Sequence, residues 1–380
     1  MAGEPAGAVV ASTTLVDTAA SGAAGAPSTS AVEGALAALP GPRTEATGAE
    51  LVWQQVVAEI GRARSVDLIC HICPDGDALG SALAAGIALR SLGHEVRVSF
   101  GDDPQVVPES LAFLPGQELI VPAADVPDVP ELVLCFDVAS EGRLGLLHEK
   151  AFAAPVLAVL DHHASNPGFG THQLIDPAAP ATAVLVDELL RRLGVPLDQD
   201  LATCLYTGVA TDTGSFKYRA TTPATHELAG RLLATGIRHD LISRQLWDTG
   251  SFGYLKVLAG ALQRAVYEPQ AAGGLGLVWT WVPYQDLVLF GVTVEEIEGL
   301  IDTLRRPAEA EVALVLKQDP DGTLRGSSRS KGAVDVARAC AELGGGGHTY
   351  AAGFSVRDEV EAVVARFRAV LRPVDPPALE

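Results

Sequence analysis

Apolar residues in this chain gather in short runs that stop at polar residues, and stretches of helical period lie between the runs. Buried strands are predicted at 66–70, 96–100, 132–136 and 156–160. Helical period begins with Leu51, Val52, Val56, Val57 and Ile60 on one face, and returns at 78–92, 182–193, 198–209 and 241–247. Continuous apolar strands alternating with helices predict an α/β fold with an open, mainly parallel sheet flanked by helices. From about residue 255 a smaller α/β region follows, with strands predicted at 261–267, 276–281, 312–316 and 323–328 and helices at 294–305, 334–343 and 359–371. The predicted organisation is a first domain over 49–222, a helical linker over 223–256 and a second domain over 257–372. Residues 1–48 are rich in Ala, Gly, Ser, Thr and Pro, lack a sustained period and read as a disordered leader, while 373–380 read as a loose tail.

Composition narrows the functional classes. The chain has 380 residues, enough for two domains at roughly 150 residues each. Its formal net charge of -20 argues against a broad basic face gripping long duplex DNA, but leaves room for a small polyanion bound through metal ions. The acidic balance also disfavours an anionic membrane surface, and no apolar run is long enough to span a bilayer. Five scattered Cys do not make a disulfide scaffold, so a reducing cytoplasm is expected. The first residues show no secretory n-region and h-region.

The chemistry concentrates where predicted strands end, the place where open α/β sheets gather ligands. His71, Asp75 and Asp77 stand in HICPDGDALGS, directly after the first strand, where Pro74 and Gly76 impose a turn. An imidazole and two carboxylates at this spacing can face one point and suit a borderline-to-hard divalent ion; the same loop also reads as an Asp-rich cap on the following helix. Cys70 and Cys73 form a C-x-x-C without a second pair, which makes a zinc or redox role weak. Asp137 ends LVLCFD, and its plainer reading is a helix cap. Asp161, His162 and His163 follow VLAVL, and Asp212 lies in GVATDTGSFKY, where it also suits a turn. Together these sites supply eight groups, and seven are enough for two ions sharing a carboxylate, about 3.5–4 Å apart as in two-metal phosphoryl chemistry. In the second region, Gly344 to Gly347 before His348 allow close backbone approach to a ligand, and Arg329 between Ser328 and Ser330 can grip a phosphate.

The order HxxPDxDAxGS, strand-end Asp, DHH and TDTG resembles the DHH phosphoesterase superfamily. SSRSKGAVDVARACAELGGGGHTYAAG resembles the glycine-rich signature of its DHHA1 substrate-binding domain. The match runs from about residue 49 to 372 and is most similar to the nanoRNase and phosphoadenosine-phosphate phosphatase branch. The resemblance implies that the active site lies in a cleft between a DHH lobe and a DHHA1 lobe. It implies that His71 and Asp75 hold one ion, that Asp77, His162 and Asp212 hold the other, and that Asp137 bridges. His163 would contact the phosphate or donate a proton, with Asp161 orienting an imidazole. Ser328, Arg329, Ser330, Gly345, Gly346, Gly347 and His348 would bind substrate, at the nucleotide end away from the scissile phosphate. One departure is Arg325-Gly326, where relatives often carry Lys or another strand residue.

The implied function is metal-dependent hydrolysis of short oligoribonucleotides to mononucleotides, together with removal of the 3′-phosphate from adenosine 3′,5′-bisphosphate. Two divalent ions are expected, Mn²⁺ by ligand type, with Mg²⁺ or Co²⁺ as alternatives. The expected partners are these short RNAs and nucleotide bisphosphates, with a homodimer compatible with the sequence. The competing readings are a cyclic-dinucleotide phosphodiesterase, an inorganic pyrophosphatase of the DHH type, which GGGGH disfavours, and a nucleotide-binding module without catalysis, which the full ligand set disfavours.

Overall fold

The computed structural model of the chain describes residues 48–374. The expected leader, apart from Gly48, and the tail beyond Val374 lie outside the described residues. The first lobe runs through α1 (Gly48–Arg62), β1 (Ser65–Cys70), α2 (Gly76–Ser91), β2 (Glu95–Phe100), β3 (Val133–Phe136), α3 (His148–Ala153), β4 (Leu157–Asp161), β5 (His172–Ile175), α4 (Thr182–Leu193), α5 (Gln199–Asp212), α6 (Pro223–Ala234) and α7 (His239–Trp247). Among the described residues its sheet has five strands in the order β2-β1-β3-β4-β5, all parallel. Alternate strand residues feed two cores. Leu68, Val98, Leu134 and Leu160 pack with α2, α4 and α5, whereas Ile69, Val133, Cys135 and Val159 pack with Leu144, Leu147 and Ala151 on the other face. Burial on both faces is why these strands read as continuous apolar runs.

The second lobe runs through α8 (Phe252–Gln263), β6 (Val266–Glu268), β7 (Leu277–Val282), α9 (Tyr284–Phe290), α10 (Leu300–Leu304), β8 (Val312–Gln318), β9 (Leu324–Ser330), α11 (Val336–Ala341), β10 (Gly346–His348), β11 (Ala351–Val356) and α12 (Val360–Val370). Its sheet, six strands among the described residues, has the order β10-β11-β9-β8-β7-β6, with β7–β8 parallel and the other pairs antiparallel. Val336, Ala339, Val363 and Phe367 cover one face. Val257, Ala261, Leu287, Ile301 and Leu304 cover the other.

Several elements differ from the sequence expectation. The strand expected at 261–267 is the end of α8 followed by the short β6: the Ser251 hydroxyl caps α8 by accepting from Tyr254 N, and Val257 and Ala261 bury one helical turn apart. The helix expected at 294–305 is a single 3₁₀ turn, Glu295–Ile297, and then α10, with Gly299 between them. Strands β5, β10 and β11 and helix α9 were not expected; β10 and β11, rich in Gly and Ala, lack the bulky alternation that marks a strand. Residues 223–256 form α6, α7 and the start of α8. Leu228, Leu232 and Ile242 join the first lobe's core, and Val257 joins the second's.

The Ala- and Gly-rich composition has a packing consequence. Helix α2 is buried on nearly every side, and at Gly80 it meets α5 so closely that an added Cβ would lie 2.6 Å from the Cys204 carbonyl oxygen. That contact is with backbone, which cannot rotate away. Gly80→Ala is therefore expected to destabilise the protein by about 1–3 kcal/mol and lower its Tm, as overpacking does. An unchanged melting curve would show that the two helices do not approach this closely.

Candidate active site

The first lobe's polar residues converge at the carboxyl ends of β1, β3 and β4. Asp75 is the N-cap of α2, and its Oδ1 accepts from Asp77 N and Ala78 N at 3.0 Å. Its Oδ2 is left 3.8 Å from His71 Nε2, so capping and ligand presentation coexist in one carboxylate. Asp77 is fully buried. The first backbone amides of α4 hold it, with Thr182 N to Oδ2 at 2.6 Å and Ala183 N to Oδ1 at 2.9 Å. Asp137 follows β3 in the left-handed region, φ 61°, a conformation a non-glycine residue keeps only where its surroundings impose it. Its Oδ2 lies 3.4 Å from His71 Nε2 and its Oδ1 3.5 Å from His162 Nε2, while the Thr182 hydroxyl donates to Oδ1 at 2.9 Å. Asp212, the last residue of α5 rather than part of a turn, brings Oδ2 to 2.9 Å from His162 Nε2.

Two groups of ligand atoms result, each within 4.8 Å of one another: His71, Asp75 and Asp137, and Asp77, His162 and Asp212. Asp161 is buried beneath them. It accepts from His162 N at 2.9 Å, from His163 Nδ1 at 2.8 Å and from Asn166 Nδ2 at 2.6 Å. With its Nδ1 proton committed to Asp161, His163 has its Nε2 free.

Electrostatics describe a site short of positive charge. Burial pushes Asp77 well above the usual carboxylate range, and Asp137 and Asp212 push it further. Burial likewise lifts Asp212 to about 6. Burial would lower His71, but the carboxylates of Asp137 and Asp75 outweigh it and raise the imidazole to about 9. His162 reaches about 11 against the same opposition, chiefly through Asp212. Asp137 is held below its ordinary range despite burial, by His71, His163 and His162. Protons here supply the charge that a cation would supply. His162 Nε2 is buried and, although Asp212 Oδ2 lies 2.9 Å away, makes no regular hydrogen bond. Buried carboxylates and an unpartnered imidazole nitrogen are a donor set that fits divalent cations.

The second lobe closes on this cluster through β9, β10 and β11. Alternation along β9 turns Leu324, Gly326, Ser328 and Ser330 toward a core and leaves Arg325, Ser327 and Arg329 on the opposite face. This corrects the expectation for the two serines. The Ser328 hydroxyl donates to the Ala352 carbonyl at 2.9 Å, and that of Ser330 donates to Glu311 Oε1 at 2.9 Å, so neither is offered to a substrate. The Arg329 guanidinium donates to the Ser328 carbonyl, and its Nε is buried without a partner. Gly345 lies against β11, where a Cβ would come 2.0 Å from the Gly353 carbonyl oxygen; Gly346 is exposed, and Gly347 lies against Ala352. His348 is the second correction. Its ring stacks on His163 at 4.2 Å and 17° and lies 5.0 Å from His162, beside the ligand cluster rather than at a remote end. Burial, then His163 and His162, hold it down at about 4. Nearby, the Arg305 guanidinium lies 5.2 Å over the Tyr218 ring and joins the lobes a second time.

Four residues escaped the sequence reading. Thr182 and Asn166 brace Asp137 and Asp161, and Arg143 Nη2 lies 2.8 Å from His71 Nδ1. Ser327 shares a face with Arg329, which the period of two along β9 could have revealed. Nothing local in the sequence marks Arg143.

Residues 65–209 match the family model described as DHH family, N-terminal domain, and residues 283–372 match that of the DHHA1 domain. The chain is 32% identical over 311 residues to the bifunctional oligoribonuclease and PAP phosphatase NrnA of Thermus thermophilus, covering 80% of this chain and 89% of that protein. It is 25% identical to the protein of the same name from Bacillus subtilis, covering 82% and 96%. Among solved structures, an exopolyphosphatase-related protein from Bacteroides fragilis superposes with a TM-score of 0.76 at 24% identity, over 84% of this chain and 95% of that one, which establishes likeness of fold.

The raised imidazoles set a pH dependence. A ligand imidazole must be neutral, and His71 keeps its proton until about pH 9, so an incoming cation has to displace it. Divalent-cation affinity should therefore strengthen from pH 6 toward pH 9, by about tenfold per unit for each proton released. Calorimetry in two buffers of different ionisation enthalpy measures that release. An affinity independent of pH would exclude His71 and His162 as ligands.

Proposed function

The chain belongs to the DHH family, and from that membership we propose that it is a metal-dependent phosphoesterase hydrolysing short oligoribonucleotides to mononucleotides and dephosphorylating adenosine 3′,5′-bisphosphate. The observation that carries this reading is Asp137, whose two oxygens face His71 on one side and His162 on the other. The names of the relatives, matched along most of their length, support the substrate class. His71 and Asp75 would hold one divalent ion and Asp77, His162 and Asp212 the second, with Asp137 placed to serve either. The carboxylate-rich donor set favours Mn²⁺, with Mg²⁺ or Co²⁺ as alternatives. When bound, the ions supply Lewis-acid charge at phosphorus and lower the pKa of the attacking water.

The chain's own groups do the rest. Asp161 fixes His163 so that Nε2 points away from it, free to hydrogen-bond a phosphate oxygen or pass a proton to the leaving group. His348 reaches the same phosphate from the second lobe. Arg329, on the same sheet face, takes a charge farther along the substrate. The catalytic domain runs from 49 through α7, and the substrate domain from α8 to 372, so the stretch expected as a linker over 223–256 is mostly part of the first lobe. With a formal charge of -20 and two lobes in contact through His348 and Tyr218, the cleft suits a few nucleotides rather than a long strand. The five free Cys fit work in the cytoplasm. No described helix is long and apolar enough to cross a membrane.

Asp137→Ala should abolish nearly all Mn²⁺-dependent hydrolysis in a folded protein; a variant keeping more than about a tenth of the wild-type rate would remove the shared-ligand role. His348 and Arg329 should separate by substrate. His348→Ala should slow a dinucleotide and a minimal chromogenic phosphodiester alike, on the order of 10²-fold, as loss of a group at the reacting phosphate does. Arg329→Ala should cost roughly 10–10²-fold in kcat/KM on the dinucleotide and far less on the minimal substrate. Equal losses from Arg329→Ala on both would assign it to the fold or the metals.

A further inference from the structure

Helix α8 has two apolar faces where a surface helix has one. Val257 and Ala261 face the second lobe's core. On the opposite side Phe252, Leu255 and Leu262 recur at helical spacing with Ala259 between them, all exposed. Beside it, α9 leaves Val288, Leu289 and Phe290 exposed. The two helices lie antiparallel. Gly253, at the start of α8, packs against the Phe290 carbonyl, and Arg264, just past the end of α8, donates to Asp286 Oδ2 at 2.6 Å. We propose that a second copy of this chain docks on this face, with α8 and α9 packing against their counterparts about a two-fold axis.

The size of the face fits a stable dimer. Phe252 is 73% exposed, Leu255 54%, Val288 62% and Leu289 72%. At such exposures the six side chains present roughly 700 Å² of apolar surface, above the ~300–600 Å² of the largest patch on a typical monomer. Two such faces brought together would hide about 1,400 Å², within the roughly 1,200–2,000 Å² of a specific, stable interface.

Charge selects the occupant. Residues 249–267 hold no Asp or Glu, although the chain has 47. On α9, Asp286 is neutralised by Arg264 within the same lobe. The Lys256 ammonium lies 5.1 Å from the centroid of the Phe252 ring. About a two-fold axis each group near the centre meets its own like, so a fixed charge there would repel itself. An acid-free face avoids that penalty in a chain of net charge -20, whose copies repel each other elsewhere. A partner of different sequence imposes no such demand and is recognised through complementary charge. Helix α8 packs on β7, while β10, which carries His348, is at the other edge of the same sheet. Docking here therefore leaves the ligand cluster untouched.

The test is sedimentation velocity of the full chain over a dilution series into the low micromolar range. Wild type should sediment as a dimer. Leu255→Glu and Leu289→Glu should sediment as monomers, with the dimer Kd raised at least ~100-fold, because each buries like charges in the contact. Both variants should keep the wild-type circular dichroism spectrum and the hydrolysis of the minimal chromogenic phosphodiester. Leu51→Glu, at a comparably exposed leucine of α1, should remain dimeric. Where a glutamate disturbs the fold, the double variant Leu255→Ser, Leu289→Ser gives the same reading without added charge. A monomeric wild type would overturn the proposal and leave the face to a partner of another kind. A dimer retained by both glutamate variants, or lost equally in Leu51→Glu, would overturn it as well. Mass is read without turnover, so the outcome is independent of the phosphoesterase reading.

Discussion

Asp77 and Asp137 are carboxylates with almost no contact with water, and Asp75 and Asp212 crowd against them. Removing such charges from solvent costs several kcal/mol each unless they are paired or coordinate a cation. Much of the first lobe is arranged around that demand. The α4 N-terminus gives its first amides to Asp77, the Thr182 hydroxyl reaches Asp137, and Asp75 satisfies the start of α2. The remaining imbalance falls on His71 and His162, whose imidazoles the surrounding carboxylates raise despite burial. The same negative field that makes the site costly to fold makes it receptive to divalent ions.

The scaffold allows this by being tight. Parallel strands buried on both faces end at a common edge, and their last residues project into one space. Helices α2 and α5 approach closely through small residues, which brings Asp77, at the start of one, near Asp212, at the end of the other. Abundant Ala and Gly, which look uninformative as composition, are thus a condition for the site's geometry. The second lobe uses a different device. A pleated strand presents Arg329 and Ser327 on one face and buries Ser328 and Ser330 on the other, and the short β10 carries His348 to the first lobe's histidines.

The chain alone was sufficient for the alternation of strands and helices, the strand-end positions of His71, Asp137 and the Asp161–His163 triplet, and the family they resemble. These are local properties: a period of hydrophobicity, a turn imposed by Pro74 and Gly76, a residue type at a fixed spacing. Tertiary structure alone decided which of two roles a residue plays, and showed that Asp75 caps a helix and faces His71 with its other oxygen. It also placed Arg143 at His71 and His348 on His163, contacts between residues 72 and 185 positions apart in the chain. Glycine-rich β10 carries no hydrophobic period to announce it as a strand. The position of His348 depends on how two separately packed cores meet, which no local pattern encodes.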